Sequence, residues 1–430
     1  MAIPAEFIER MKKQLPETEW EAFFAVYGNA PHKGLRLNPL RGDKKTLQSK
    51  FPFLQEPIPW EEYGFYHCEE KLGANPYYLA GLAYSQEPSA MSVAPLLEVQ
   101  PGDKVLDLCS APGGKATQMA CRMQGKGLIV CNEPVFSRAK ILSQNIERLG
   151  VTNAVVCSET PEKLSRKLSG YFDKILVDAP CSGEGMFRKN ADEALAEWSI
   201  ENVELCAKRQ AGILDEAVKM LKVGGKLAYS TCTFAVEEDE EQIQNLVARH
   251  PEMRICKQEK LYPHKTRGEG HFIVLLEKVD GGVPCTVKPL KTAISTPSAK
   301  VYAQFEKEFF YTPFAVHLHE VEGVLYDVPK DVFDWKGLQV LRVGIRLGEV
   351  KNGRFEPNHS LAMSVRANAC KRTISLEGTN LDRYLRGETV ETDLDSGWCL
   401  VCVDGYPLGL GKSVNGTIKN HLPKGLRTHA

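Results

Sequence analysis

Three residues of this chain stand where side chains do chemistry. Asp178 ends the apolar run "DKILVDAP", and Cys181 follows it in "DAPCSGEG". Cys232 sits in "STCT", again just past an apolar run, "KLAYST". A thiol becomes a nucleophile when it loses its proton. A neighbouring carboxylate can hold a hydrogen-bonding edge or help to move a proton. Two thiols can divide a reaction, one attacking and the other serving a later step. Free cysteine is also among the most buried residue types, so residue type alone leaves packing open. The elements that carry these residues have to decide.

From Asp103 to Val279 short β-branched runs alternate with amphipathic helices: "KVLDL", "GLIVCNE", "NAVVCSE", "DKILVDAP", "KLAYST" and "HFIVLLEK". That alternation predicts an α/β fold with a parallel, doubly wound sheet. In such a sheet the C-terminal strand ends share one rim, where ligands bind. Asp107, Glu133, Asp178, Cys181 and Cys232 should therefore converge. "ENVELCAKRQAGILDEAVKMLKVGG" predicts a helix with its apolar stripe at Val203, Cys206, Ala207, Ile213, Leu214, Ala217, Val218 and Leu221, stopping at Gly224-Gly225. Residues 1–90 read as short helices and turns, 91–280 as the core and 281–300 as a Gly/Pro/Ser/Thr-rich linker. Residues 301–430 read as a mixed, strand-rich region. From Gly405 to Ala430 it has no acidic residue and carries Lys412, Lys419, Lys424 and Arg427.

"VLDLCSAPGGKATQMA" (105–120) reads as strand, glycine loop, helix. Such a loop lets a ligand approach backbone N–H groups at a helix N-terminus. It is neither GxGxxG nor a P-loop, because Lys115 is followed by Ala116 rather than Ser or Thr. The next strand ends in Glu133, placed to accept hydrogen bonds from ribose hydroxyls. A nucleoside cofactor follows. NAD and S-adenosyl-L-methionine both fit; Asp107 and the "SAPGGK" backbone suit an amino-acid head group better than a pyrophosphate.

A methyl donor beside two thiols and a carboxylate points to a pyrimidine. Cytosine C5 is a poor nucleophile, but a thiolate adding to C6 makes an enamine whose C5 can attack a methyl group. A second group must then take the C5 proton so that the thiolate can leave. "LDLCSAPGGKATQMA", "DAPCSGEG" and "STCT" closely resemble the signature blocks of the Nop/Sun RNA (cytosine-5) methyltransferases, and "PYYLAGLAYSQEPSAM" (76–91) resembles that family's segment just upstream. "RGEGHF" (267–272) and the basic C-terminal stretch resemble the bacterial RsmF-type branch, which modifies small-subunit ribosomal RNA.

The resemblance implies a Rossmann-like class-I methyltransferase core between an N-terminal RNA-binding segment and a C-terminal PUA-like, RNA-binding α+β domain. It implies Cys232 as the nucleophile, with Cys181 assisting proton removal and release. Asp178 would hold the cytosine edge near N3, and Lys115 would lie near the base. Cys109, Ser110, Ala111, Pro112, Gly113, Gly114, Lys115, Glu133, Arg138 and Asp178 would hold S-adenosyl-L-methionine. The third-strand block departs from the family pattern: "CSET" puts Ser158 and Glu159 beside the adenine. The implied partner is ribosomal RNA or the small ribosomal subunit, met by a cytoplasmic monomer. The same chemistry on tRNA, or a ribosome-assembly factor acting mainly by binding, remains an alternative.

Composition sets the frame. The chain has 430 residues, a formal net charge of −1 and 13 cysteines without a disulfide rhythm, which suits a reducing compartment. The N-terminus lacks the apolar region of a signal peptide. Cys121, Cys131, Cys157, Cys206, Cys256 and Cys370 read as packing residues. "CLVC" (399–402) lacks the second pair that a zinc site wants, so no metal is expected. "EEDEE" (237–241) reads as a solvated helix N-terminus. His271 reads as packing at a strand start. Arg36 reads as a phosphate contact or an ion pair, and Tyr77 and Tyr78 as base-stacking or packing.

Overall fold

The structure is a computed structural model that describes residues 3–282 and 284–428. Residues 1–2 of the N-terminal segment, Val283 of the expected linker and residues 429–430 of the basic stretch lie outside it. Near the N-terminus β1 (Lys33–Leu37), β2 (Leu54–Pro57), β3 (Gly64–His67) and β4 (Ala83–Ser85) make an antiparallel sheet in the order β2-β3-β1-β4. Arg36 on β1 is buried and donates to the Gln86 side chain, the Gly114 carbonyl and Thr117 Oγ1 at 2.9, 2.8 and 2.7 Å. Among the described residues it enters no ion pair. It ties the first sheet to the glycine loop of the next domain.

The central sheet follows. β5 (Lys104–Asp107), β6 (Leu128–Asn132), β7 (Ala154–Cys157), β8 (Phe172–Asp178) and β9 (Leu221–Thr231) are parallel in the order β7-β6-β5-β8-β9. Helices cover both faces, as the near-continuous apolar strands require. Gly114–Met123 and Phe136–Arg148 pack on one side; Pro161–Leu168, Ile200–Met220 and Glu240–Arg249 pack on the other. The reversal of strand order beside β5 places the ligand crevice there.

The sheet is not purely parallel. β11 (His271–Lys278) inserts antiparallel between β9 and the edge strand β10 (Met253–Leu261), because the connection 262–270 from β10 to β11 is a return loop and not a crossover helix. The helix Ile200–Met220 ends four residues before the glycine pair expected to stop it. Gly224 has φ +76°, and a Cβ on Gly225 would lie 3.0 Å from the Asp173 carbonyl. The two glycines therefore bulge β9 against β8, where the register shifts.

Beyond the core, β12 (Leu318–Val321) and β13 (Val324–Asp327) start a second antiparallel sheet, completed by β15 (Ile345–Lys351) and β16 (Arg354–Pro357). Between them β14 (Val340–Val343) crosses over to pair antiparallel with β7 and caps that edge of the central sheet. The helix Thr296–Phe309 starts inside the expected linker: Ser295 caps it and Pro297 sits in its first turn, so a Ser/Thr/Pro-rich stretch was a helix start. The last sheet runs β17 (Thr373–Ser375), β19 (Gly397–Val403), β20 (Tyr406–Val414), β21 (Thr417–Asn420), β18 (Val390–Glu391). It shares a core with the first sheet through Leu35, Phe65, Tyr384 and Val401.

The basic stretch thus holds two paired strands, β20 and β21, followed by a short 3₁₀ turn at Lys424–Leu426, and the "CLVC" cysteines are buried in β19. Tyr77 and Tyr78 are half-buried, with the Arg148 guanidinium 4.2 Å from the Tyr78 ring. Cys256 does not pack: it is exposed on the edge strand β10. Among the described residues no helix is long and apolar enough to cross a membrane.

Candidate active site

Asp178 and Ser230 are partners across β8 and β9, and Ser230 Oγ donates to Asp178 Oδ1 at 2.7 Å. Lys115, in the first turn of Gly114–Met123, donates to Asp178 Oδ2 at 2.8 Å. Because β11 is antiparallel, its start reaches the same rim and puts His271 Nε2 3.7 Å from Asp178 Oδ1. Burial alone would push the Asp178 carboxyl up; Lys115 and His271 outweigh it and hold it below the usual range. The packing role expected for His271 misses this contact. The ring is buried, its Nδ1 is 3.1 Å from the Gly270 carbonyl, and its Nε2 has no closer partner than the carboxylate.

The two thiols meet. Cys181 Sγ is 3.3 Å from Cys232 Sγ, and both residues are partly exposed. The hydrogen bond to Cys232 and burial push the Cys181 thiol well up. Behind them Ser182 Oγ and Thr233 Oγ1 lie 2.8 Å apart, joining the two loops. Gly185 N donates to the Cys232 carbonyl at 2.8 Å, an approach that a Cβ at 2.9 Å would block. Glu238 and Asp239 correct the reading of "EEDEE" as solvated: both are fully buried. Glu238 accepts from Ser182 N at 3.0 Å and Gln210 Nε2 at 2.7 Å, and burial pushes its carboxyl up to about 7.

A cleft of about 920 Å³ runs from these groups to the glycine loop. Cys109, Ala111, Glu133, Arg138, Asp178, Cys181 and Cys232 line it. Glu133 ends just past β6, accepts from Val135 N at 3.0 Å and lies 3.5 Å from Arg138, which donates to the Ala111 carbonyl at 3.2 Å. Ser110, Pro112, Gly113 and Gly114, also expected at the cofactor, are not among the residues that line it. Ser110 Oγ donates to Asp107 at 3.1 Å, and Gly113 takes φ +109° to turn the loop into its helix. Glu159 is turned away: Lys163 Nζ and Gln339 N donate to its carboxylate, and Thr160, Pro161 and Glu162 line the cleft instead. The third-strand acid thus anchors β14's approach.

The residues fit S-adenosyl-L-methionine. Asp107 is buried with Oδ1 unpartnered, and burial and the nearby Asp178 push its carboxyl up to about 7. That is an acceptor awaiting a donor such as an ammonium. Glu133 offers a carboxylate at the second strand end for hydroxyls.

Four family models match: "N-terminal domain of 16S rRNA methyltransferase RsmF" over 3–88, "16S rRNA methyltransferase RsmB/F" over 94–277, "RsmF rRNA methyltransferase first C-terminal domain" over 304–365 and "Methyltransferase RsmF PUA domain" over 371–428. The solved structure of NSun6 from Pyrococcus horikoshii with SFG shares the fold, with a TM-score of 0.57, 23% identity and coverage of 65% of this chain and 99% of that one. The ribosomal RNA small subunit methyltransferase F of Erwinia tasmaniensis is 30% identical over 98% of this chain and 96% of its own. Its counterpart from an Enterobacter species is 31% identical over 98% and 95%. With four matching family models and near-complete coverage of its relatives, this chain belongs to the ribosomal RNA small subunit methyltransferase F family, methyltransferases whose cofactor is S-adenosyl-L-methionine.

Proposed function

We propose that this chain methylates C5 of a cytosine in small-subunit (16S) ribosomal RNA through a covalent bond between Cys232 and C6, acting as a cytoplasmic monomer. The single observation that carries the reading is the thiol pair, Cys181 and Cys232 at 3.3 Å, beside Asp178 in the cleft that Glu133 also lines. The substrate class rests on the family models. The N-terminal segment and the C-terminal region flank the core as RNA-binding parts.

Cys232 acts as the thiolate nucleophile, with Cys181 Sγ 3.3 Å away. Cys232 adds to C6, and Asp178, held as a carboxylate by Lys115, fixes the base edge near N3. S-adenosyl-L-methionine, when bound, supplies the electrophilic methyl group. After transfer Cys181, its own proton given up to solvent, takes the C5 proton as a thiolate. The C5–H electron pair forms the C5–C6 double bond, the C6–S bond breaks, and Cys232 leaves as a thiolate.

Two variants test this. Cys232→Ala should lower methylation by roughly 10⁶-fold, the scale on which losing a nucleophile acts, and form no adduct. Cys181→Ala should form the adduct and accept methyl but stall at release, leaving a denaturation-resistant, RNase-sensitive band. Bisulfite sequencing of 16S RNA locates the product. Normal turnover in Cys181→Ala with no trapped band would reduce that cysteine to packing.

A further inference from the structure

The helix Ile200–Met220 buries Val203, Cys206, Gln210, Ile213 and Leu214 against the core. Its opposite stripe, Leu205, Lys208, Arg209 and Gly212, follows the i, i+3, i+4, i+7 spacing of one helical face. That stripe does not face open solvent alone, because all four residues line the same cleft as Cys181 and Cys232. Leu205 is 61% exposed there. Lys208 and Arg209 are exposed too. Among the described residues neither enters an ion pair or side-chain hydrogen bond, whereas Lys219 on the same helix pairs with Glu216 at 2.6 Å.

Gly212 is the informative member. Inside a helix glycine is less favourable than every other residue except proline. Here its backbone is ordinary helix, and a Cβ would meet nothing within 4 Å. Neither backbone strain nor packing within the chain asks for glycine. What its bare backbone does is leave the cleft wall flat beside two cations without anionic partners. S-adenosyl-L-methionine carries a sulfonium cation and does not call for them; a phosphodiester strand does.

We propose that this stripe seats the RNA strand flanking the target cytosine: Lys208 and Arg209 take backbone phosphates, Leu205 packs on a neighbouring base or ribose, and Gly212 lets the sugar-phosphate chain lie against the helix. The inference rests on the RNA reading above and adds the surface that holds the strand at the reacting thiols.

The test measures binding of in vitro transcribed 16S RNA across a salt series, with S-adenosyl-L-methionine affinity measured separately by calorimetry. Lys208→Ala/Arg209→Ala should weaken RNA binding on the order of tenfold. It should also flatten the slope of log K against log salt by about 1.4, which is about 0.7 for each single-strand phosphate that a cation no longer neutralises. Gly212→Leu should keep or raise the melting temperature, since its space is empty in the free protein, and still weaken RNA binding. Cofactor affinity should hold in both variants. RNA binding and salt slope equal to wild type would overturn the proposal and leave the chemistry intact. A loss of cofactor affinity in Gly212→Leu would make the stripe a cofactor wall and overturn it as well. Failure of the unmutated chain to methylate 16S cytosine, with the stripe still binding RNA, would count against the functional reading alone.

Discussion

At the base end of the cleft Lys115, Asp178 and His271 arrive from three elements, Lys115 and His271 hold the Asp178 carboxyl low, and Cys181 and Cys232 are in hydrogen-bond contact. At the cofactor end a carboxylate, Glu133, and the buried Asp107 meet a loop made of backbone, and Asp107 keeps one oxygen unpartnered. At the base end both oxygens of the key carboxylate, Asp178, are partnered before substrate comes. The cofactor end is left incomplete, and a ligand would complete it. A network that sets protonation should fail through pH and rate; an open acceptor should fail through affinity.

After the nucleophile Cys232, the base end breaks hardest at Lys115. A carboxyl held low contributes stability above its unfolded value near 3.9 and loses it as pH falls through its lower folded value. Lys115→Met removes the largest partner lowering Asp178, and burial then raises it. The acid limb of kcat/KM should move to higher pH, with a fall at neutral pH of roughly 10²–10⁴-fold, the range of a positioned acid–base group. Melting curves between pH 4 and 8 should show the acid midpoint rising too. An unmoved acid limb would mean that Asp178 owes its charge to another partner.

The cofactor end should answer differently. Glu133→Ala removes a carboxylate that lines the cleft. It should weaken S-adenosyl-L-methionine binding by roughly 1.5–3 kcal/mol, the range for hydrogen bonds to a charged group. At saturating cofactor, kcat should stay near wild type. Calorimetry showing full affinity would move the ribose contact elsewhere and blur the contrast between the two ends.

The sequence made one half of this site readable, for a local reason. Asp178, Cys181 and Cys232 each sit just past an apolar run, and strand ends in a parallel sheet meet at one rim, so their meeting follows from pattern alone. The partners were hidden because they come from afar. His271 looks like the first residue of a strand, and only β11's reversed direction turns that start toward Asp178. Glu238 belongs to a run of acids that composition assigns to water, yet its partners Ser182 and Gln210 lie on other elements. Glu159 stands where an adenine contact belongs, but β14 crosses from the C-terminal region and claims it through Gln339. No local signal announces that four residues near position 340 will pair with β7. The glycine pair 224–225 carries a real signal, a break, but helix end and strand bulge both use it.

The C-terminal sheet offers the smallest effect and one with opposite signs. Removing residues 405–430 would take out β20, paired on both sides, and so would test folding and not binding. Charge substitution avoids this. Lys412 and Lys419 are direct partners across β20 and β21, so two cations face each other on one surface. Lys412 Nζ stands 5.4 Å from the Trp398 ring, and the His421 ring lies 4.4 Å from it. Like charges placed opposite each other destabilise a strand pair, by a few tenths of a kcal/mol to about 1 kcal/mol. Such a pair makes sense if an anion sits across it. Lys412→Ala/Lys419→Ala should therefore raise the melting temperature of the free protein slightly. The same variant should bind 16S RNA a few-fold more weakly, with a salt slope flatter by about 1.4. Cofactor affinity and kcat at saturating RNA should not move, because neither lysine lines the cleft. A variant that gains stability and keeps its salt slope would leave the cleft helix as the main phosphate contact and make this sheet a scaffold.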